Sequence, residues 1–360
     1  MNQRASAFTR GLAPLRNGAL ARPGKICAIR PRLYNPAGMP ETNQIIQGDC
    51  IKLLNQGPEA WIDLVFADPP FNIGYLYHGY EDKRKTEDYL QFSHDWMKAV
   101  YRALKPTGSF YLAIGDEYAA DLCVIARRQI GFTLRNWIIW HYTFGQQTRK
   151  KYAKSHTHIL YFTKTDDPNG FTFNADAVRV ASARQTTYAD ARANPKGKLP
   201  DDVWYLRPQE TPGDYFAGES DTWYVSRVCG TFKEREGWHG CQMPISVLTR
   251  IIAASSNPGD IVVDPFNGSG TTVVTAATMG RRYVGIDQSA EYVDYARQRL
   301  AHVLKQMNDG PASADPATPV STPLKLALDP TRTSKVQTET DAFGRPRVKR
   351  RRSRSTARSA

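Results

Sequence analysis

Residues 62–71 read Ile62-Asp63-Leu64-Val65-Phe66-Ala67-Asp68-Pro69-Pro70-Phe71. A short apolar run rich in Val, Ile and Leu and halted by prolines reads as a buried strand of a parallel sheet. The carboxyl ends of such strands are where open α/β sheets bind ligands. Two prolines fix φ and donate no N–H, so the carbonyls of Asp68 and Pro69 form a stiff row of acceptors followed by the Phe71 ring. An amino group on a flat heterocycle needs that arrangement: acceptors for its two hydrogens and a ring to stack on. Taken alone, the stretch reads more readily as a strand that simply ends in Asp-Pro.

A second stretch, residues 261–272 (IVVDPFNGSGTT), repeats the design. An apolar strand runs into Asp264-Pro265-Phe266-Asn267-Gly268-Ser269-Gly270, and a helix starts at Thr271-Thr272. Glycines there let backbone approach a ligand, and a helix N-terminus offers N–H groups to an anion. The third glycine of the dinucleotide fingerprint is missing. About twenty residues on, Arg282–Asp287 reads as a strand ending in an acid, where a ribose diol would be gripped.

These motifs resemble those of the S-adenosylmethionine-dependent DNA amino-methyltransferases: DPPF is similar to their catalytic D/N/S-P-P-Y/F motif, and DPFNGSGTT to their cofactor motif. The catalytic motif comes first, as in the permuted β group, and the resemblance spans about residues 43–304. It implies an α/β fold: a Rossmann-like sheet with helices on both faces, circularly permuted, with an inserted target-recognition region. It implies catalytic roles for Asp68, Pro69, Pro70 and Phe71. Cofactor contacts are implied for Asp264, Phe266, Gly268, Gly270, Thr271, Thr272 and Asp287, with Asp49 and Cys50 in a turn beside the adenine ring. Asp49 also reads as a plain helix cap. One departure stands out: Gln242-Met243-Pro244 occupies the place of the family's usual Gln-Lys-Pro, which shifts the cofactor carboxylate onto Thr271, Thr272 and backbone N–H groups.

Length and 41% hydrophobic content suit one large α/β domain or two modest ones. No apolar run approaches the ~20 residues a membrane helix needs. Cys27, Cys50, Cys123, Cys229 and Cys241 show no metal-binding spacing, so reduced thiols, no metal site and a cytoplasmic protein are expected. The formal charge of +13 is concentrated in the tails: residues 1–40 and 344–360 are rich in Arg and Lys and free of acids, and the chain between them is near neutral. Residues 1–40 read as a disordered basic extension, with an organelle-targeting peptide the less favoured reading. Residues 306–360, rich in Pro, Ser, Thr and Ala and then basic, read as a disordered tail.

Between the tails, folding is expected to start near Asn43. Residues 41–164 form the catalytic half, 165–238 the recognition region and 239–305 the cofactor half. Asn72–Lys85 reads as a polar and aromatic loop that closes over DNA, with Arg84 and Lys85 as contacts. A helix is expected from Glu87 to Leu104, a turn at Pro106-Thr107-Gly108, a strand from Ser109 to Ile114 and a helix from Tyr118 to Gln129. Phe132–Tyr142 and Ile159–Thr163 pair as a hairpin around a basic tip holding Arg149, Lys150 and Lys151, suited to phosphates. Residues 165–238 carry more acids than bases, so only the resemblance gives them a recognition role.

The expected function is methyl transfer from S-adenosylmethionine to the N6 of a flipped-out adenine in double-stranded DNA. Asp in the first motif position favours adenine within the resembled family, with cytosine N4 the alternative. Cytosine C5 chemistry is disfavoured because no Pro-Cys pair occurs. A dehydrogenase is disfavoured by the glycine pattern, an RNA or protein amino-methyltransferase by motif order, and a silent DNA-binding homologue by the intact motifs. A companion restriction endonuclease is an expected partner; a homodimer is one arrangement the sequence leaves open.

Overall fold

The computed structural model describes residues 33–204 and 242–309, except 36, 39, 75, 78–79, 147–148, 181, 187 and 189, together with 338–340 and 346–348. Most of both basic tails, and residues 205–241 with their aromatic cluster, Cys229 and Cys241, lie outside the described residues.

In chain order the elements are β1 (Gln44–Gln47), α1 (Cys50–Gln56), β2 (Ile62–Ala67), β3 (Leu76–Tyr77), β4 (Tyr80–Glu81), α2 (Thr86–Ala103), β5 (Leu104–Ile114) and α3 (Ala119–Val124). The hairpin β6 (Thr133–Gln146) and β7 (Lys154–Thr163) follows, then α4 (Ala183–Thr186) and β8 (Val203–Trp204). The chain resumes with α5 (Ile245–Ser255), β9 (Ile261–Asp264), α6 (Thr271–Thr278), β10 (Arg282–Asp287) and α7 (Ala290–Asp309). A small antiparallel ribbon pairs β11 (Thr338–Thr340) with β12 (Pro346–Val348).

One eight-stranded sheet has the order β1-β10-β9-β2-β5-β7-β6-β8. The first five are mutually parallel, β7 is antiparallel to its neighbours β5 and β6, and β8 lies parallel to β6. Alternation along β2 sorts the core: Val65 and Ala67 face a layer with residues of α1, α2 and α3, and Leu64 and Phe66 face one with residues of α5, α6 and α7. Both faces are therefore covered, which is why the strands are apolar throughout.

The chain leaves β2 toward β5 and leaves β9 toward β10, so the winding reverses between β2 and β9. Leu64 pairs with Val262 and Val65 with Val263, which brings the ends of the two motif strands side by side. That junction is the topological switch point at which a doubly wound sheet opens a crevice.

Five expectations about the elements are corrected. Packing begins ahead of Asn43: Leu33 is buried, and the Tyr34 ring covers Gly57 so closely that an added Cβ there would collide with it. These apolar side chains cover the end of α1 and the Trp61 ring, 6.2 Å from Tyr34. The Pro106–Gly108 turn is a bulge inside β5, since Ile62 pairs with Leu104 but Leu64 already pairs with Ser109. The helix expected over Tyr118–Gln129 stops at Gly131 as expected, where the φ of 105° is one only glycine adopts readily, but its second half, Ile125–Ile130, is a π turn. The hairpin strands run further than expected, to Gln146 and from Lys154, and α7 continues to Asp309. Among the described residues no helix is long and apolar enough to cross a membrane.

Docking of Leu33 is testable. Leu33→Ala should lower the unfolding free energy by about 2–4 kcal/mol, as for other buried leucines; a loss below ~0.5 kcal/mol in a denaturant titration would show that the segment does not pack.

Candidate functional site

Ladder pairing of β2 ends with Ala67 opposite Leu112, one residue short of Asp68. Proline chemistry dictates this ending, because Pro69 and Pro70 have no N–H to continue the ladder. The buried Tyr89 of α2 donates its hydroxyl to the Pro70 carbonyl at 2.8 Å, fixing the turn from behind. Phe71 rests against the end of β5, where a Cβ on Gly115 would lie 3.2 Å from its ring. The close approach of ring and backbone is possible because residue 115 is glycine.

Immediately after Phe71 the chain is clasped. Asn72 has a left-handed φ of 58°, unusual for a non-glycine residue. The buried Asp82 carboxylate accepts the N–H of Asn72 at 2.8 Å and of Ile73 at 3.2 Å. The Asn72 amide donates to the Arg84 carbonyl and the Tyr118 hydroxyl and accepts the Arg84 N–H at 2.6 Å. Burial raises the Asp82 pKa, partly offset by these N–H groups.

Arg84, expected at the DNA, stacks its guanidinium 4.1 Å over Phe92. Phe92 meets Phe266 of the second motif loop, which also packs edge-on against Trp96 at 5.1 Å. A row of rings thus joins the two loops. Lys85 is exposed at the start of α2, and Arg149, Lys150 and Lys151 are exposed at the hairpin tip.

The second loop is held from beneath. Asp264 accepts the Phe266 N–H at 2.9 Å and the Thr272 hydroxyl at 2.5 Å. Asp287, at the end of β10, accepts the N–H groups of Gly268 and Ser289 at 2.8 and 2.9 Å. Thr271 is hydrogen-bonded to Ser269 and receives Arg299, which also donates to the Ser269 carbonyl at 2.9 Å. Gly270 has φ of 77° and packs against α7, where a Cβ would come within 2.9 Å of Ala296. Asp49 caps α1 through the Lys52 N–H, and the neighbouring Gly48 N–H reaches the Asp287 carbonyl at 2.8 Å.

The expected cofactor residues therefore divide. Asp49, Phe266, Gly268, Gly270 and Asp287 converge at the carboxyl edge of β1, β10 and β9. Asp264, Thr271 and Thr272 are buried, with their side chains spent on holding the loop. The Cys50 thiol is in the core and pushed up to about 12 by burial, which makes it inert. Both polar atoms of the buried Asn267 amide lack a hydrogen-bond partner beneath the same loop. Two carboxylates, an aromatic ring and glycine backbone suit a nucleoside that also carries an ammonium and a carboxylate. Sequence reading missed Tyr89, Asp82 and Arg299; the one visible signal was Asp82 as an acid within the basic run ending the loop.

Asp116, His156 and His158 gather beside the Phe71 turn, with the two Nε2 atoms 3.6 and 3.8 Å from Asp116. The Trp137 indole, a donor only, points at His158 Nδ1 from 2.9 Å, which places that ring's proton on Nε2, the atom a metal would need. The Lys154 ammonium, 3.5 Å from Asp116, adds positive charge to the same spot. The trio is a hydrogen-bonding group.

Burial pushes the Asp264 carboxyl up to about 7 and raises Asp287 as well. The folded chain binds these protons more tightly than the unfolded chain, so the stability these two groups contribute is fully present below the ordinary carboxylate range and is lost as pH rises from there through about 7. Asp264→Asn, which keeps acceptor and shape, should flatten the melting temperature of the ligand-free protein across that interval. Parallel pH profiles for the two proteins would assign the dependence to other groups.

The DNA methylase family model matches residues 62–298 of the chain. The type II methyltransferase M.HpaI of Haemophilus parainfluenzae is 36% identical over 257 residues, covering 71% of this chain and 74% of that protein. The DNA adenine methyltransferase YhdJ of Escherichia coli (strain K12) is 35% identical over 263 residues, covering 72% and 83%. Among solved structures, the cytosine-N4-specific PvuII DNA methyltransferase superposes with a TM-score of 0.51 at 19% identity, covering 77% of this chain and 96% of that one, a likeness of fold. The crevice between β2 and β9 carries the two motif loops inside the matched span, and the chain belongs to the DNA methylase family, as an S-adenosylmethionine-dependent DNA methyltransferase of the adenine-N6/cytosine-N4 type.

Proposed function

We propose that the chain methylates the exocyclic N6 of adenine in double-stranded DNA. The observation that carries this reading is Asp68 directly after the last ladder residue of β2, on the switch point and beside the cofactor loop. Asp in that position and the similarity to a protein named as a DNA adenine methyltransferase favour adenine over cytosine. The likeness to a cytosine-N4 enzyme is one of fold. Relatives named as type II methyltransferases support a companion restriction endonuclease as a partner.

An exocyclic amine is a weak nucleophile because its lone pair is delocalised into the ring. The Asp68 carboxylate and the Pro69 carbonyl would accept its two hydrogens, favour a pyramidal nitrogen and aim the lone pair at the methyl donor. Phe71 would stack on the base after it leaves the duplex. S-adenosylmethionine supplies an electrophilic methyl group on a sulfonium, so the chain needs no nucleophile of its own. Asp287 would hold the ribose diol, Asp49 the adenine amino group, and Phe266 with the Gly268 and Gly270 backbone the rest. The chain's contribution is then positioning and fixed charge. The proton released by the methylated amine can pass to Asp68 or water.

Labelled S-adenosylmethionine, a DNA substrate and nucleoside mass spectrometry test the reading: labelled N6-methyladenine is expected, and labelled N4-methylcytosine would replace adenine. Asp68→Ala should lower turnover by at least about 10²–10³-fold while cofactor affinity is retained; full activity would remove Asp68 from the mechanism. Asp82→Ala, which opens the clasp behind Phe71, should cost on the order of 10²-fold in kcat through misplacement. Unchanged kcat would show that the clasp does not position the catalytic turn.

A further inference from the structure

By sequence Lys154 belongs to the basic run of the hairpin, together with Arg149, Lys150 and Lys151. The fold sets it apart from them. Arg149, Lys150 and Lys151 are exposed, whereas the Lys154 side chain is 22% exposed and faces two carboxylates: Asp116 at 3.5 Å and Glu117, which accepts its hydrogen bond. Burial works against the ammonium, but the bond to Glu117 and the charge of Asp116 outweigh it and raise its pKa, so the lysine stays charged.

Both carboxylates stand on the turn at residues 115–118, which closes with the Tyr118 N–H donating to the Gly115 carbonyl at 3.4 Å. The same turn is the seat of the Phe71 ring. A Cβ on Gly115 would lie 3.2 Å from that ring and 3.3 Å from the Glu117 carboxylate, so ring and carboxylate converge over one glycine. Tyr118 ties the turn to the residues on either side of Phe71. Its hydroxyl accepts from the Asn72 amide at 2.9 Å, and its ring packs 4.5 Å from that of Tyr89, whose hydroxyl donates to the Pro70 carbonyl.

On its other flank the turn meets one face of β7. His158 lies opposite Ile114, the last residue of β5, and Lys154, the first residue of β7, stands roughly 13 Å beyond it at the usual rise per residue. Lys154, His156 and His158 alternate onto a single face, and all three approach Asp116, the histidine Nε2 atoms at 3.6 and 3.8 Å. Burial and the neighbouring His156 lower the His158 pKa, so that ring stays uncharged. The turn is thus held between the catalytic residues and the stem of the hairpin.

We propose that Lys154 is a positioning residue for the methyl transfer: by clamping Asp116 and Glu117 it presses the 115–118 turn against Phe71, so that the hairpin sets the ring on which the target base stacks. The inference rests on the DNA methyltransferase reading. Adjacent carboxylates repel, and without the ammonium between them Asp116 and Glu117 would draw apart and loosen the seat of the ring. Ion pairs with partly exposed partners add little to stability, so the contact supplies placement rather than folding energy.

Methylation of a duplex by the full chain is compared, with kcat and KM separated, for the wild type, Lys154→Met, Lys154→Arg, and Lys154→Met combined with Glu117→Gln. Lys154→Met should lower kcat by about 10-fold or more while cofactor affinity and melting temperature hold. Lys154→Arg should keep most of the rate. Adding Glu117→Gln to Lys154→Met should restore part of it, because one of the two repelling charges is gone. The slope of log duplex affinity against log salt should stay that of the wild type. An unchanged kcat in Lys154→Met would overturn the proposal, and a slope shallower by about 0.9 would then make Lys154 a phosphate contact. A kcat loss matched by a lower melting temperature, with no recovery from Glu117→Gln, would assign the lysine a structural role and overturn it too. A wild-type protein that methylates no duplex would overturn the methyltransferase reading itself, a result recognisable without any variant, and this proposal with it.

Discussion

The pairing of β2 with β9 is the contact on which the rest depends. Two motifs nearly two hundred residues apart become neighbours because Leu64 and Val65 share backbone hydrogen bonds with the strand of Val262 and Val263. Strands on either side are wound in opposite directions from this pair, so among the described residues no crossover helix bridges its carboxyl end. A crevice follows from topology, and the prolines after each Asp ensure that neither strand grows into it.

Both loops at that crevice are rigid for the same reason: buried carboxylates gather backbone N–H groups. Asp82 does this for the turn after Phe71, and Asp264 and Asp287 do it for the glycine loop. Each carboxylate gives up some hydration, and its raised proton affinity records that cost. The Arg84, Phe92, Phe266 and Trp96 stack then ties one loop to the other, so that movement of either is felt by both. Arg84 serves this join, while the exposed Lys85 and the Arg149–Lys151 tip keep their charges toward solvent.

Electrostatics in this chain is a matter of placement. Around Asp176 and Asp190 four cations share two carboxylates, so the local balance is positive although residues 165–238 as a whole carry more acids than bases. Net charge of the segment hides this, because counting cannot register which way a side chain points.

Sequence alone determined the strand-and-turn chemistry. Apolar runs ending in Asp-Pro, the glycine pair before Thr271 and the acid closing Arg282–Asp287 encode parallel strands with ligand-binding ends, since periodicity and proline stereochemistry act over a few residues. Helix boundaries at Thr86 and Gly131 were legible for the same local reason. Tertiary structure decided which polar side chains face the crevice and which hold it. Thr272 and Asp264, ligand groups by their motif, bond each other in the core, and Arg84, a DNA contact by its place in the loop, stacks on a ring. Tyr89 and Asp82 reach the Pro70–Asn72 turn across 19 and 10 residues, distances no local pattern spans. Burial and hydrogen-bond partnership arise only when distant segments meet, and they turn candidate residues into either a site or its scaffold.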